Sequence, residues 1–319
     1  MNETASGDAI TEKTGQEPIF DTVTLIGVGL IGSSIARAIR RRNLARRIVA
    51  GVRPGRTANE LRELQIVDEI IEDLPAAAAK GDLVIFCTPL GTFASIAEAI
   101  GPALKPGAIV SDVGSVKSTV IRDVGPHVPE GRHLVPAHPV AGTEQSGPSA
   151  GFAELFDNRW CIITPAPETD LGAVAQVIKF WEGCGSKIEI MTPRHHDLVL
   201  AITSHVPHLI AFNIVGTASD LETVTNSEVI KYSAGGFRDF TRIAASDPTM
   251  WRDVFLANKD AVLEMLGRFT EDLTALQRAI RWGDGETLYN LFSRTRAIRR
   301  QIIDAGQETP KPDFGRHGG

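Results

Sequence analysis

The sequence predicts an α/β fold in which a domain built on a parallel sheet precedes an all-helical one, and three observations carry that expectation. First, the apolar run Val23-Thr-Leu-Ile26 enters Gly27-Val-Gly29-Leu30-Ile31-Gly32 and leaves it with apolar residues at Ile31, Ile35, Ala38 and Ile39, a helical spacing. Second, short apolar runs alternate with helical patterns as far as residue 191. Third, from Thr192 onward few strand-like runs appear and long helical patterns dominate. The expected architecture is a Rossmann-type dinucleotide-binding domain over residues 19–191 and a helical domain over 192–305, with flexible tails at 1–18 and 306–319.

The first turn is where a ligand is expected. Gly27 lets the chain leave the strand tightly, Gly29 admits the backbone to a pyrophosphate, and Gly32 lets the helix lie close to the sheet. Unpaired N–H groups at the helix start, from Leu30 and Ile31 on, face the phosphates, whose charge the helix dipole favours. The second strand, Ile48-Val-Ala-Gly-Val52, runs directly into Arg53-Pro-Gly-Arg56-Thr57. An NAD site usually ends this strand with Asp or Glu for the ribose hydroxyls, whereas a phosphorylated ribose is met by arginine. The acid is absent here, and Arg53 and Arg56, with Thr57 beside them, offer two guanidinium forks to a phosphate dianion. NADP is therefore the preferred cofactor and NAD a possible one. The alternative is that both arginines are solvated surface residues.

The remaining elements follow in order. Asn59 to Leu64 reads as a short helix, and Asp68 to Asp73 returns the chain to the sheet. Asp82-Leu-Val-Ile-Phe-Cys87 is apolar almost throughout, as a strand buried on both faces should be, and Thr88-Pro89-Leu90 leaves its carboxyl end where the cofactor would lie. Helix is expected over Phe93 to Ile100 and strand over Ala108 to Val110, followed by Asp112-Val-Gly-Ser115-Val-Lys117. His138-Pro-Val-Ala-Gly142-Thr-Glu144 is dense in polar and turn-forming residues, a composition that marks a site more often than a packing element. Trp160 to Thr164 is a further strand, Leu171 to Trp181 a helix, and Lys187 to Met191 the last strand of the sheet. Helices are then expected over 193–221, 227–232, 248–280 and 285–305, with Val199, Ile202, Val206 and Ile210 forming one buried face. Helices so long and apolar are hard to bury in one small bundle, which points to a homodimer formed through this domain.

A chain of 319 residues with a net charge of −6 has no basic domain or arm, so nucleic acid is not an expected partner. Cys87, Cys161 and Cys184 form no metal-like pair and read as structural thiols in a reducing compartment. The first 17 residues are polar, and no uncharged apolar run reaches spanning length, so a soluble, cytoplasmic protein without a membrane contact is expected.

A dinucleotide enzyme needs a group that takes a proton as hydride departs, and histidine, with an ordinary pKa of about 6.5, is the natural acceptor. His138 stands just beyond an apolar segment and is the first candidate. His205 and His208 flank Pro207 on a helical pattern; they either face a cleft or are hydrogen-bonded core groups. His127, His133 and His317 lie in helix-end, loop and tail contexts. His195 and His196 could join His205 and His208 around a metal, but no HExxH pattern or cysteine ligand accompanies them, and no metal is expected. Arg238 and Arg242, four apart in Gly235-Gly-Phe-Arg-Asp-Phe-Thr-Arg242, suit a carboxylate unless Asp239 neutralises one of them. Trp251 either packs between helices or lies over a ligand, and Lys117 either neutralises a phosphate or caps a helix.

From about Asp21 to Ala305 the chain resembles the prephenate and arogenate (cyclohexadienyl) dehydrogenases of tyrosine biosynthesis. The likeness is carried by Gly27–Gly32, Asp112–Lys117, His138–Glu144, Ser204-His-Val-Pro-His208 and Gly235–Arg242. The resemblance implies oxidative decarboxylation of prephenate to 4-hydroxyphenylpyruvate or of arogenate to tyrosine, with tyrosine as product or inhibitor and a helical dimerisation domain. By the same likeness His138 is the catalytic histidine, Ser115 lies near the reacting hydroxyl and nicotinamide, and Arg242 holds the ring carboxylate. His205, and less directly His208, line the substrate site; Glu144 lies near the substrate side chain and helps gate entry. Arg238 stands where relatives often have lysine, and Trp251 matches a tryptophan that can enter the partner's site. The sequence alternatives are a two-domain dehydrogenase of the 3-hydroxyacid or 6-phosphogluconate type and a non-catalytic NADP sensor.

Overall fold

The computed structural model describes residues 17–225 and 235–304. Nearly all of both expected tails, and the helix expected over 227–232, lie outside the described residues. The chain divides into two compact units, Met1–Val262 and Leu263–Gly319.

The first unit is organised on a six-stranded sheet of order β3-β2-β1-β4-β5-β6. Its strands are β1 (Phe20–Ile26), β2 (Ala45–Gly51), β3 (Glu69–Ile71), β4 (Leu83–Phe86), β5 (Ile109–Asp112) and β6 (His133–Leu134), and every neighbouring pair is parallel. Five helices accompany them: α1 (Leu30–Arg42), α2 (Arg56–Leu64), α3 (Leu74–Ala78), α4 (Phe93–Ile100) and α5 (Lys117–Val124). The chain runs outward through β2 and β3 and then returns to place β4 on the other side of β1. The carboxyl ends of β1 and β4 therefore flank the crevice at which such sheets bind ligands.

Alternation along β1 sends Val23 and Leu25 into one core with Ile35, Ile39, Phe180 and Trp181, and Ile26 into another with Phe86, Phe93 and Val120. Gly27 turns out of β1 at φ +81°, and a Cβ on Gly32 would stand 2.8 Å from the Gly27 carbonyl, so glycine is what allows α1 to start against the strand.

The last expected strand is displaced. Lys187–Ile190 (β9) does not extend the main sheet; it pairs parallel with β8 (Trp160–Ile163), which pairs antiparallel with β7 (Ala137–Pro139) in a separate three-stranded sheet. Its side chains are mostly exposed, and a one-sided edge strand cannot occupy a parallel sheet covered on both faces. Between β8 and β9 lies α6 (Leu171–Gly183), capped by Asp170, whose carboxylate accepts the Ala173 N–H at 2.8 Å.

The helix expected over 193–221 is interrupted. It consists of α7 (Pro193–Leu200), a π-helical turn (Ala201–His205) and α8 (Val206–Thr225). Pro207 has no N–H to continue the ordinary ladder, and just before it the Val206 N–H reaches back five residues to Ala201. The extra residue rotates the following face. Ile202, expected inside, is exposed, while Leu200, Ala201, His205 and Val206 are buried. By length and composition alone Pro193–Asp220 could cross a membrane, which corrects the expectation that no run is long enough; here the stretch carries the buried His196, Asp197 and His205.

Next come α9 (Gly235–Thr241), a 3₁₀ turn (Arg242–Ala245) and α10 (Pro248–Ala257), which is capped by Asp247. The helix expected over 248–280 breaks at Asn258, after which α11 (Lys259–Trp282) begins. The second unit holds most of α11 together with α12 (Gly285–Asp304), and it exposes Leu273, Ile280, Trp282, Tyr289 and Phe292.

Candidate active site

A cavity of about 1200 Å³ opens at the carboxyl ends of β1, β2 and β4, lined by Gly27, Gly29, Arg53, Arg56, Thr57, Cys87, Thr88 and Pro89 among others. Two features suit it to a dinucleotide. A Cβ on Gly29 would meet nothing within 4 Å, and among the described residues no side chain caps the α1 N-terminus, so its first N–H groups are open to an oxyanion. Leu30, Ile31 and Gly32 begin α1 behind this opening. Leu90 departs from the expectation: it is buried, part of the core around Phe86 and Phe93. Arg53 is exposed at the rim, whereas Arg56 donates from Nε to Glu60 Oε1 at 2.6 Å one turn along α2. Cys87 is half-buried in the cavity wall, and burial, reinforced by Asp112, raises its pKa far above that of an ordinary thiol.

Beside the main sheet, β7, α7 and the N-terminus of α5 converge on His138. The His138 ring is buried, and its Nδ1 lies 2.8 Å from His196 Nε2. His196 Nδ1 lies 2.8 Å from Asp197 Oδ1. The Asp197 carboxylate also accepts the backbone N–H groups of Lys117 at 2.7 Å and Ser118 at 2.9 Å. Burial alone would raise the pKa of Asp197, but the hydrogen bonds from His196, Ser118 and Lys117 outweigh it and the group is held below the ordinary carboxylate range.

An ionised Asp197 fixes the tautomers in sequence. His196 must donate from Nδ1, which leaves Nε2 an acceptor; His138 then donates from Nδ1, which leaves the lone pair on its own Nε2. Burial first, then the cost of adding a charge beside His196, Lys117 and His205, lowers the His138 pKa well below the ordinary value, so the ring is neutral at physiological pH. The result is an oriented, unprotonated imidazole.

A second branch leaves Asp197 from its main chain. Asn258 Nδ2 donates to the Asp197 carbonyl at 2.8 Å and lies 3.0 Å from His205 Nδ1. With Nδ1 accepting, His205 carries its proton on Nε2, a buried atom with no partner among the described residues. Burial is the main cause that lowers the His205 pKa to about 4. The branch continues through Trp251, edge-on to His205 at 6.1 Å and stacked on His208 at 3.7 Å. His208 donates from Nδ1 to the Ser204 carbonyl at 2.8 Å. Trp251 is buried in its own fold, packed as well against Phe255.

The remaining expected residues fall as follows. Arg242 lies beyond the end of α9 in the 3₁₀ turn, so it does not share a helical face with Arg238; its Nη1 donates to Glu144 Oε2 at 3.2 Å. Arg238 is exposed and pairs with Asp239. Ser115 is half-buried in the turn between β5 and α5. Lys117 neither faces a phosphate nor caps a helix with its side chain. It is fully buried, and its Nζ donates to Asp112 and to the Ala137 carbonyl, while Asp112 accepts the Ala137 N–H at 3.2 Å. This ion pair ties β7, and with it His138, to β5.

His196, Asp197 and Asn258 are the partners that sequence reasoning missed. The signal was His195-His196-Asp197 at a helix start, but adjacent helical residues point apart: His195 is exposed and His196 is buried.

Comparison with known proteins bears on this geometry. Residues 35–190 match the family model "Prephenate dehydrogenase, nucleotide-binding domain", and residues 192–294 match "Prephenate dehydrogenase, dimerization domain". A cyclohexadienyl dehydrogenase of Zymomonas mobilis is 40% identical over 281 residues, which is 88% of this chain and 96% of that one. The crystal structure of prephenate dehydrogenase from Aquifex aeolicus, in complex with hydroxyphenyl propionate and NAD+, is 33% identical and superposes with a TM-score of 0.82 over 88% of this chain and 98% of that one. Synechocystis arogenate dehydrogenase is 27% identical, with a TM-score of 0.73 over 88% of this chain and 99% of that one.

Proposed function

The chain belongs to the prephenate dehydrogenase family and is an NAD(P)-dependent cyclohexadienyl dehydrogenase, and from that premise we propose that His138 Nε2 is the base that takes the proton of the ring hydroxyl. The reaction is oxidative decarboxylation, of prephenate to 4-hydroxyphenylpyruvate or of arogenate to tyrosine. The nicotinamide, when bound, accepts hydride from the carbon bearing the hydroxyl, and the ring becomes aromatic as carbon dioxide leaves.

The observation that carries this reading is the ordered chain from Asp197 through His196 to His138, which supplies a neutral imidazole with a defined proton-accepting atom. Arg242 holds the departing carboxylate, with Glu144 as its counter-ion before substrate enters. His205 offers its Nε2–H to the substrate, Ser115 lies toward the hydroxyl, and Trp251 with His208 forms the apolar wall. Arg238 and Glu144 meet the side chain that distinguishes prephenate from arogenate.

NADP is the favoured cofactor, because Arg53 stands at the cavity rim without an acid at the end of β2; NAD binds in the same cleft. The helical domain expected over 192–305 forms the dimer interface of a soluble, cytoplasmic homodimer, a reading supported by the exposed apolar side chains of α11 and α12, and tyrosine competes for the substrate site. Both substrates assayed with both cofactors test the reading. A 4-hydroxyphenyl product with preference for NADP supports it. Dinucleotide binding without turnover of either substrate overturns it.

A further inference from the structure

The cofactor cleft is not built from the nucleotide-binding segment alone. Thr249, Arg252, Asp253 and Leu256, on one side of α10, line the same cavity as Gly29 and Arg53, although they belong to the part of the chain matched as the dimerisation domain. Their spacing of three and four residues puts them on one helical face, while Trp251 and Val254 point into the core.

We propose that Arg252, held by Asp253, is a dinucleotide-binding residue contributed from outside the nucleotide-binding domain, its guanidinium meeting phosphate charge on the bound cofactor. Three observations support this, all resting on the reading of the cleft as the NAD(P) site. First, the described lining carries three guanidinium groups, Arg53, Arg56 and Arg252, against a single carboxylate, Asp253; with Arg56 also paired to Glu60 outside the lining, one positive charge remains in excess, which suits a polyanion. Second, that carboxylate is already committed: Asp253 Oδ1 accepts from Arg252 Nε at 2.9 Å and Nη2 at 2.7 Å. The pairing orients the fork and leaves Nη1 with no partner among the described residues. Third, Asp253 is held against the loop that follows β4, where a Cβ on Gly91 would stand 2.7 Å from Asp253 Oδ2. The Arg252–Asp253 pair thus abuts the loop that carries Thr88 and Pro89. Cofactor binding and the seating of Trp251 on His208 share one helix.

The test is the equilibrium dissociation constant of NADP and of NAD, measured without substrate, for wild type, Arg252→Ala, Arg252→Lys, Gly91→Ala and the control Arg268→Ala, which is not among the residues that line the cavity. Arg252→Ala is expected to weaken binding about tenfold or more, the scale of one charge-assisted contact. Arg252→Lys should recover part of the loss, Gly91→Ala should also weaken binding, and Arg268→Ala should leave it unchanged. A loss confined to NADP assigns the contact to the ribose phosphate, and an equal loss for both assigns it to the shared pyrophosphate. Binding by Arg252→Ala within about twofold of wild type for both dinucleotides overturns the proposal, whereas failure of the wild type to bind either overturns the cleft assignment itself.

Discussion

His138 Nδ1 and His196 Nε2 lie 2.8 Å apart, and because Asp197 holds the far nitrogen of His196, the lone pair of the His138 imidazole is placed by a carboxylate acting through two successive hydrogen bonds. Replacing His138 by asparagine removes the proposed base and is expected to lower turnover at least about 100-fold, with dinucleotide affinity unchanged. Asp197→Asn should leave substrate KM nearly unaltered but cut kcat by a similar factor, because an amide can present a donor to His196 and reverse both tautomers. Steady-state kinetics on both variants, with melting temperatures to verify folding, decides this. Full turnover in Asp197→Asn would remove the relay from the mechanism.

How far this arrangement was legible in the sequence depended on what kind of signal each part leaves. The β1–α1 turn was readable because Gly27, Gly29 and Gly32 answer backbone requirements that no other residue meets as well. His138 was readable as a candidate from its local setting. His196 and Asn258 were not, because their roles arise from long-range contacts: 58 residues separate His196 from His138, and 53 separate Asn258 from His205. The π-turn at Ala201–His205 was invisible to a pattern with a fixed period, since one inserted residue changes the buried face without changing composition. Likewise the break at Asn258 leaves the apolar periodicity on either side intact.

The buried histidines dictate the pH behaviour. His138 is lowered well below the ordinary value, chiefly by burial, so kcat should be level as pH falls through 6.5, the usual midpoint, and decline only at more acid pH as Nε2 is protonated. Stability follows the same sign. His205 has a folded pKa of about 4 against about 6.5 unfolded, so the unfolded chain binds more protons between those values and stability is lost as pH falls through that window. The loss attributable to this one group approaches about 3 kcal/mol, and His205→Asn should flatten it. Denaturant melts at a series of pH values would show the slope; an acid limb unchanged in the variant would contradict it.

The Lys117–Asp112 pair, both side chains essentially without solvent contact, makes an asymmetric prediction. Burial raises the Asp112 pKa and lowers that of Lys117, and mutual attraction opposes both shifts. Lys117→Met leaves a buried carboxylate uncompensated and should destabilise by about 3–5 kcal/mol. Adding Asp112→Leu should recover part of that cost, since the double variant removes both charges of the pair. Equal destabilisation in the single and double variants, measured by chemical unfolding, would show that the pair acts only through its packing volume.

The two rim arginines should contribute unequally to cofactor choice. Arg56 is already paired with Glu60, and its side chain is 92% exposed, so a phosphate must compete for it in high dielectric; Arg53 makes no such pairing among the described residues. Arg53→Ala is therefore expected to raise the KM for NADP about tenfold while changing that for NAD much less, and Arg56→Ala to have a smaller effect of the same sign. Glu60→Gln frees Arg56 and should shift preference further toward NADP. Initial rates with each cofactor at saturating substrate separate these outcomes. If Arg53→Ala raised both Michaelis constants equally, the residue would be a general contributor to dinucleotide binding, and the ribose phosphate would have to be read by another group.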